Sequence, residues 1–215
     1  MRPNIRFAGD GALVVELGEK IDQTINAKVQ ALAFALEQGK FDGLVEVVPT
    51  SCSLMIYYDP LKTELSALKE RLIALGERLQ EFPLPERKVV EIPTGYGGIF
   101  GPDLSFVAEY HNLSEDEVID LHVEPLYHVY MLGFTPGFAY LGDLPQKLAT
   151  PRLKTPRLKV PAGSVGIGGD QTGIYPIESP GGWRIIGRAS VTLFDPAKDP
   201  PTLLFPGDRV RFIRI

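Results

Sequence analysis

The sequence predicts an α+β protein made of two domains: a small amino-terminal α/β sandwich over residues 1–85, then a mostly β barrel domain over residues 86–215. Three observations predict this fold class. Apolar residues repeat with the helical period in two stretches between Asp22 and Leu79, whereas from Tyr127 onward short apolar runs alternate with proline and glycine turns. Between the two patterns, Phe82-Pro83-Leu84-Pro85 marks the domain boundary.

The first domain begins with a predicted hairpin and a helix. The stretch Ile5–Gly18 has β-branched, apolar residues on both sides of the turn at residues 8–11, where glycine and aspartate tolerate hairpin dihedral angles. Asp22 is a good N-cap for a helix with a continuous apolar face, and Gly39 supplies its carboxy-terminal stop.

Two strands and a second helix complete the first domain. The runs Leu44–Val48 and Leu54–Tyr58 are strand-like and are separated by a proline-containing turn. Thr63 opens a helix whose leucines recur at intervals of three and four residues, which is typical of a face buried in a core. The predicted result is a sheet with two helices on one face.

The second domain begins with a strand at Lys88–Ile92, followed by a turn-rich segment at residues 93–98. Two short helices follow, Pro102–Tyr110 and a helix from Ser114 to His122 that starts with a capping box. The remaining chain has the short strands and regular turns of a closed barrel or sandwich.

Composition excludes several classes of protein. The 215 residues are 44% hydrophobic and 23% charged, which is ordinary for a globular protein, and the net charge of −5 leaves no basic stripe for nucleic acid. The single cysteine, Cys52, excludes an internal disulfide framework. The amino terminus does not resemble a signal peptide and no apolar run reaches 18 residues, so a cytoplasmic location is expected.

Glycine is concentrated in Pro161–Arg188, which holds eight of the 22 glycines within 28 residues. Tight turns between short strands explain this density, and so does a surface that presents backbone N–H groups to a small ligand. Known phosphate-binding and nucleophile motifs do not fit the segment. The candidate ligand-binding residues in it are Gly166, Gly168, Gly169, Gln171, Tyr175, Ser179, Gly181, Gly182 and Trp183.

An aromatic loop is the second candidate segment. Within Met131–Pro145, Phe134, Phe138 and Tyr140 surround a Pro-Gly pair, and such a rigid loop either lines a pocket or covers the barrel. We predict that Arg184 and the glycine-rich segment form one wall of a ligand site that faces this loop. Arg184, a candidate catalytic residue, is suited to bidentate pairing with a carboxylate or phosphate, and a surface salt bridge is the alternative.

The three histidines do not form a metal pattern, because Pro125 breaks the segment between His122 and His128. The sequence therefore predicts no metal site. His122, at the end of the capped helix, is the candidate general acid or base.

Long glycine- and proline-rich motifs give a more specific signal. The segments MLGFTPGFAYLGDLP and VPAGSVGIGGDQTGIYPIESPGGWRIIGR, with GYGGIFGPDL and LLFPGDRVRF, resemble the family of the B subunit of 5-oxoprolinase, also called allophanate hydrolase subunit 1, and of the sporulation-kinase inhibitor KipI. The likeness covers essentially the whole chain. It implies a cyclophilin-like barrel in the second domain.

The resemblance also implies a function. In this family the B subunit, with the C and A subunits, opens the lactam of 5-oxo-L-proline to glutamate at the expense of ATP, and we expect the chain to be inactive alone. The alternative is a KipI-like module that inhibits a sporulation sensor histidine kinase. Where the family shows Pro-Val-Cys-Tyr-Gly-Gly-Glu, this chain has Thr94, Gly95 and Ile99 at the varied positions, so no role passes to that cysteine or glutamate.

If the chain acts on 5-oxo-L-proline, side-chain chemistry suggests a role for each candidate residue. Arg184 would hold a carboxylate or phosphate, backbone amides at 166–169 would meet negative charge, and Gln171 and Tyr175 would orient the lactam ring. The substrate site is thus expected in the second domain.

Overall fold

The structure, a computed structural model, describes residues 3–39, 41–82, 84 and 87–215. The chain packs as two compact units, Met1–Glu86 and Arg87–Ile215. Each unit has a hydrophobic core of its own. Pro83 and Pro85 of the expected boundary lie outside the described residues.

The first unit is a four-stranded antiparallel sheet with two helices. Its sheet order is β1-β2-β4-β3, and the apolar sides of both helices share one core with the strands. All six predicted elements are present. They are β1 (Asn4–Phe7), β2 (Ala12–Glu16), α1 (Gln23–Gln38), β3 (Leu44–Pro49), β4 (Ser53–Tyr58) and α2 (Leu65–Glu77), followed by a 3₁₀ turn at Leu79–Glu81.

The observed helix caps of the first unit match the predicted caps at α1 and differ from the predicted cap at α2. The Asp22 carboxylate accepts a hydrogen bond of 3.0 Å from the Ile25 amide, and Gly39 is the C-cap. At α2 the N-cap is Glu64, which gives no side-chain cap. Thr63 instead donates its hydroxyl to the Asp42 carbonyl, so this threonine ties the helix entry to the loop before β3.

The second unit is built around a closed barrel of seven strands, in the order β10-β7-β6-β13-β5-β12-β9. Of the closed barrel or sandwich that the sequence predicted, the structure has the closed barrel, and a separate two-stranded β8–β11 sheet was not predicted. The elements are β5 (Val89–Tyr96), α3 (Leu104–His111), α4 (Glu115–Val123), β6 (Tyr127–Leu132), β7 (Ala139–Gly142), β8 (Arg157–Val160), β9 (Ser164–Gly168), β10 (Gln171–Ile174), β11 (Ser179–Gly181), β12 (Arg184–Ala189) and β13 (Arg209–Arg214).

Strand β5 runs four residues further than the sequence predicted. Residues 89–94 pair in parallel with β13, and residues 94–96 pair with β12, so the backbone of the expected turn is held in the barrel. The chain turns only at Gly97 and Gly98, whose φ angles are 69° and 51°. The capping box at the start of α4 is confirmed: Ser114 accepts from the Glu117 amide, and the Glu117 carboxylate accepts from the Ser114 amide.

Helix α4 places His122 in the core of the second unit, where it is fully buried. Its Nδ1 lies 2.8 Å from the Tyr96 hydroxyl and its Nε2 lies 3.0 Å from Oγ1 of Thr172. The Thr172 hydroxyl donates its one proton to the Gly166 carbonyl, so Nε2 of His122 is the donor and Nδ1 is the acceptor. This pattern fixes a neutral imidazole, and burial lowers the pKa of His122 to about 3.

A second, smaller cluster lies outside the barrel. It consists of Phe138, Val160, Tyr175, Trp183 and Ile185, with Tyr140 at its edge. The indole of Trp183 lies directly against the barrel backbone, because the strand positions beneath it are glycines. A Cβ at Gly168 would lie 2.5 Å from the indole Cε2, and one at Gly173 would lie 2.9 Å from Cζ3.

We expect His122 to make unfolding pH-dependent. The imidazole is neutral in the folded protein down to about pH 3, whereas an unfolded histidine gains a proton below about pH 6.5, so its contribution is complete above pH 6.5 and is lost on acidification. From pH 6.5 to 5 the loss is about 2 kcal/mol. Urea unfolding of His122→Gln should show a drop smaller by this amount than that of the wild type.

The exposed substitution Lys154→Gln controls for a change in net charge. Equal pH dependence in the wild type and His122→Gln would show that the imidazole is not held neutral in the core.

Gly168→Ala should lower the free energy of unfolding by about 1–3 kcal/mol, because the added methyl group overlaps the Trp183 indole. The matched control is Gly182→Ala in the same segment, where the nearest atom to a Cβ is Pro156 Cγ at 3.6 Å. Denaturant unfolding of both variants measures the difference. Similar stabilities would mean that the indole does not rest on Gly168.

Candidate functional site

The aromatic loop and the glycine-rich segment meet on the outer face of the barrel, as the sequence predicted. The ring of Phe138 lies 5.1 Å from that of Tyr175 and 5.5 Å from that of Trp183, both nearly perpendicular to it. Tyr140 contacts Trp183 edge-on at 5.9 Å. These rings fill the space between the two segments, so the candidate site is the rim of this aromatic cluster and not a cleft through it.

Phe134 is the exposed member of the aromatic cluster. Its side chain is 60% accessible although its ring lies 5.5 Å from Phe138 and 6.3 Å from Tyr175. Its φ angle is 66°, in the left-handed region that a residue other than glycine adopts at a cost. The backbone therefore holds a large apolar ring at the surface of the cluster.

Arg152 supplies positive charge at the rim of the aromatic cluster. Its guanidinium carbon lies 5.6 Å from the Trp183 ring centroid. Burial raises the pKa of both Tyr140 and Tyr175, and the charge of Arg152 opposes the rise at both hydroxyls. Among the described residues it has no ion-pair partner within 4.0 Å. This guanidinium is available to an anion at the face of the indole.

Two buried polar groups belong to the same outer side of the unit. The Nε2 of Gln171 and the Oγ of Ser179 have no hydrogen-bond partner among the described residues, although both residues are more than nine-tenths buried. Gln171 pairs with Gly168 across the β9–β10 hairpin, so its side chain stands beside the indole that covers Gly168. A buried donor without a partner carries a desolvation cost that a ligand acceptor would relieve.

An ion pair fixes the β8–β11 sheet over the aromatic cluster. Arg157 of β8 donates two hydrogen bonds, of 2.8 and 2.9 Å, to the Asp103 carboxylate, which also accepts one of 2.7 Å from the Ile185 amide. Val160 of the same strand packs into the cluster. The bidentate arginine of this region is thus structural.

Arg184 does not face the aromatic loop. Its guanidinium lies 3.6 Å from the centroid of Phe106 on α3, and its Nε donates to the Pro151 carbonyl. Successive residues of a strand point to opposite sides, so Arg184 turns away from the side on which Trp183 packs. The expectation that Arg184 and the aromatic loop line one site is therefore wrong.

The glycines of the candidate site serve packing and strand pairing. Gly166 and Gly168 lie in β9, paired with β10, and Gly169 donates its amide to the Thr150 carbonyl. A Cβ at Gly181 would overlap the Tyr175 hydroxyl, and Gly182 accepts from the Leu153 amide. The expectation that the amides at 166–169 face a ligand is therefore wrong, because this segment forms part of the barrel and its residues pair with neighbouring strands and with Thr150.

His122 is likewise removed from any surface. It is fully buried with both ring nitrogens hydrogen-bonded, so the structure gives it no path for proton exchange with a ligand at the outer face. Its predicted role as general acid or base is therefore not supported.

Sequence reasoning missed Arg152. The only sequence signal is its position in TPRLKTPR, where two arginines follow prolines, 26 residues or more before Trp183. One of the two pairs with Asp103 and the other approaches the indole, and their sequence contexts are nearly identical. The two differ because Arg157 lies in the paired strand β8, whereas Arg152 lies outside any strand.

Two kinds of feature would point to a membrane or a metal among the described residues: helices that could cross a membrane and clusters of metal ligands. No helix within residues 3–39, 41–82, 84 and 87–215 is long and apolar enough to cross a membrane. No three histidine, cysteine, aspartate or glutamate side chains in the same ranges converge as metal ligands.

Comparison with known proteins identifies the family. Residues 3–204 match the model of the carboxyltransferase domain, subdomain C and D. The B subunit of 5-oxoprolinase from Bacillus subtilis is 43% identical over the whole chain and 94% of its own length. The protein of that name from Escherichia coli O157:H7 is 47% identical over 99% of the chain and 96% of its own length. The resemblance seen in the sequence is confirmed.

Solved structures agree with this assignment. The structure of TTHA0988 is 40% identical with a TM-score of 0.84, and it is a longer protein of which this chain covers 40%. The uncharacterized protein PH0987 from Pyrococcus horikoshii is 52% identical over 99% of this chain and 97% of its own, with a TM-score of 0.59. The chain belongs to the family of carboxyltransferase domains of the subdomain C and D type, together with the 5-oxoprolinase B subunits that share its full length.

Proposed function

We propose that this chain is the B subunit of an ATP-dependent 5-oxoprolinase, which opens 5-oxo-L-proline to L-glutamate together with the C and A subunits. The observation that carries the proposal is the identity of 43% and 47% to B subunits over nearly the full length of both proteins. A third B subunit, from Haemophilus influenzae, is 47% identical over 88% of each chain. The kinase-inhibitor alternative has no comparable observation in its favour.

The rim of the aromatic cluster suits the substrate by its chemistry. 5-Oxo-L-proline is a flat five-membered lactam with one carboxylate, so it requires a cation, an apolar surface and partners for one amide. Arg152 supplies the cation, while the exposed ring of Phe134 and the half-buried ring of Tyr140 supply the apolar surface. In this proposal Arg152 takes the carboxylate-binding role that the sequence suggested for Arg184.

Ring opening adds water across the amide bond. The carbonyl carbon gains a hydroxyl group, the C–N bond breaks, and the nitrogen leaves as the amine of glutamate after it takes up a proton. Negative charge develops on the lactam oxygen as the carbon becomes tetrahedral, and a fixed N–H donor stabilises it. Gln171 is our candidate donor, because its buried Nε2 has no partner among the described residues. Ser179 is the second candidate to orient the amide.

The glycine-rich segment does not fit a nucleotide. Its amides at 166, 168 and 169 belong to strand pairs or bind the Thr150 carbonyl, and Gly166, Gly168 and Gly173 lie under Trp183. Nucleotide binding is therefore assigned, in this proposal, to a partner subunit.

The chain alone should not turn over 5-oxo-L-proline, whereas the mixture with the C and A subunits should. Glutamate release and ATP consumption, measured for each protein alone and for every mixture, separate the cases. Turnover by the purified chain alone would overturn the proposed role, and so would a complete mixture that consumes no 5-oxo-L-proline.

Arg152→Lys should raise KM for 5-oxo-L-proline about tenfold to a hundredfold, or roughly 1.5–3 kcal/mol, because lysine keeps the charge but loses the planar fork that binds a carboxylate. Steady-state kinetics of the reconstituted complex measure this effect.

The matched control is Arg184→Lys, which changes a guanidinium on the opposite side of β12 and should leave KM nearly unchanged. Thermal melts of both variants exclude unfolding as a cause. A larger KM increase in Arg184→Lys would return the site to the wall that the sequence suggested.

A further inference from the structure

Helix α3 contacts the segment that carries Arg152 from both ends of the helix. This segment, residues 148–157, leads into strand β8 and is called here the Arg152 segment. Asp103, the N-cap residue of α3, accepts two hydrogen bonds from Arg157 at one end of the segment. His111, the last residue of α3, lies with its Nε2 3.1 Å from Oγ1 of Thr150 near the other end. Arg152 therefore lies between two attachments to one short helix.

The hydrogen bond between His111 and Thr150 has a defined direction. Thr150 is completely buried, and its hydroxyl lies 2.8 Å from the Leu148 carbonyl. Because a carbonyl oxygen can only accept, the hydroxyl donates its one proton to Leu148. The hydroxyl oxygen then accepts from the imidazole, so Nε2 of His111 carries a proton.

The carboxy-terminal end of α3 holds His111 in place. Asn112, the C-cap residue, has a φ angle of 55°, in the left-handed region that asparagine adopts at helix ends. Its amide donates to the carbonyls of Ala108 and Glu109 in the last turn. The position of the imidazole is thus set by the helix end and not by an unstructured loop.

The barrel holds the backbone on both sides of Arg152. The Leu153 amide donates to the Gly182 carbonyl at 2.7 Å, and Nε of Arg184 donates to the Pro151 carbonyl at 3.2 Å. Lysine at position 184 would retain an N–H donor for this carbonyl, so Arg184→Lys leaves the Arg152 segment in place. The exposed Arg152 side chain thus projects from a fixed backbone.

We propose that α3 positions Arg152 at the indole of Trp183, with His111 as the positioning residue that acts through Thr150. A guanidinium whose backbone is already ordered loses less conformational entropy when it binds a carboxylate. The role of His111 rests on the proposed function, in which Arg152 binds the carboxylate of 5-oxo-L-proline.

The position of Arg152 can be measured on the purified chain without turnover. Trp183 is the only tryptophan of the sequence, so its indole N–H signal in an NMR spectrum needs no further assignment. The change in this signal between the wild type and Arg152→Gln defines the effect of the guanidinium. His111→Phe keeps a ring but loses the N–H donor, so it should move the signal towards its position in Arg152→Gln. In the Arg152→Gln background it should move the signal no further.

Two variants separate the hydrogen bond from a general effect on α3. His111→Gln places an amide N–H near the position of Nε2 and should restore the wild-type signal. Tyr110→Phe changes an exposed neighbour whose ring lies beside the imidazole, and should leave the signal unchanged. If His111→Phe melts far below the wild type, Thr150→Val breaks the same hydrogen bond from the other side and is measured in its place.

Kinetics of the reconstituted complex test whether the position matters for the substrate. His111→Phe should raise KM for 5-oxo-L-proline about threefold to tenfold, while kcat changes less than about twofold, because only substrate binding is weakened. In the Arg152→Lys background it should raise KM no further, and His111→Gln should return KM to the wild-type value. Independent, additive increases in the double variant would contradict an action through Arg152.

The two measurements separate the role of His111 from the proposed function. If the indole signal responds to His111→Phe as expected but the wild-type complex turns over no 5-oxo-L-proline, the positioning of Arg152 stands and only the proposed function fails. Identical indole signals in the wild type and Arg152→Gln, or no response to His111→Phe, overturn the positioning role. An unchanged KM in His111→Phe, when Arg152→Lys raises KM, overturns it as well and leaves the proposed function standing.

Discussion

The contact between the Trp183 indole and bare backbone is the constraint on which the outer side of the second unit depends. Gly166, Gly168 and Gly173 leave room above the backbone of β9 and β10, so the indole contacts both strands. Truncating a buried tryptophan typically costs about 3–5 kcal/mol. The aromatic loop, the β8–β11 sheet and Arg152 are all arranged around this one ring.

The barrel interior explains why all the candidate chemistry lies outside it. Side chains from the seven strands, joined by residues of α3 and α4, fill the lumen as a continuous apolar core. His122 and Thr172 are polar members of this interior, and they are joined by a chain of hydrogen bonds that ends at the Gly166 carbonyl. The candidate ligand chemistry therefore lies on the outer face, at Arg152.

The elements that the sequence predicted are those with local signals. Asp22 and the Ser114–Glu117 box mark helix starts within a few residues of the helices they cap. Strand β5 was predicted too short because Pro93 and Gly95 are typical turn residues, and pairing with the distant strands β13 and β12 overrides that preference. The strand conformation of Pro93 and Gly95 is therefore set by tertiary pairing and not by their local preference.

The candidate site shows the same limit. Its two segments were predicted to meet, yet the glycines were assigned to a ligand and not to an indole 15 residues later in the chain. Trp183 and Arg184 are adjacent in sequence, but they pack on opposite sides of the strand. His122 and His128 lie six residues apart and are separated by the barrel wall. Neighbours in sequence do not share a site where they lie on a strand, because successive side chains of a strand point to opposite faces.

Because the Asp103–Arg157 ion pair is buried, salt should affect the folded structure less than it affects anion binding at the surface. The Asp103 side chain is 8% accessible, and dissolved ions screen a buried pair only weakly. The Arg152 side chain is exposed, and dissolved ions screen exposed charges strongly. Raising the ionic strength should therefore weaken anion binding at Arg152. The Asp103–Arg157 pair should still hold the β8–β11 sheet in place beside Trp183.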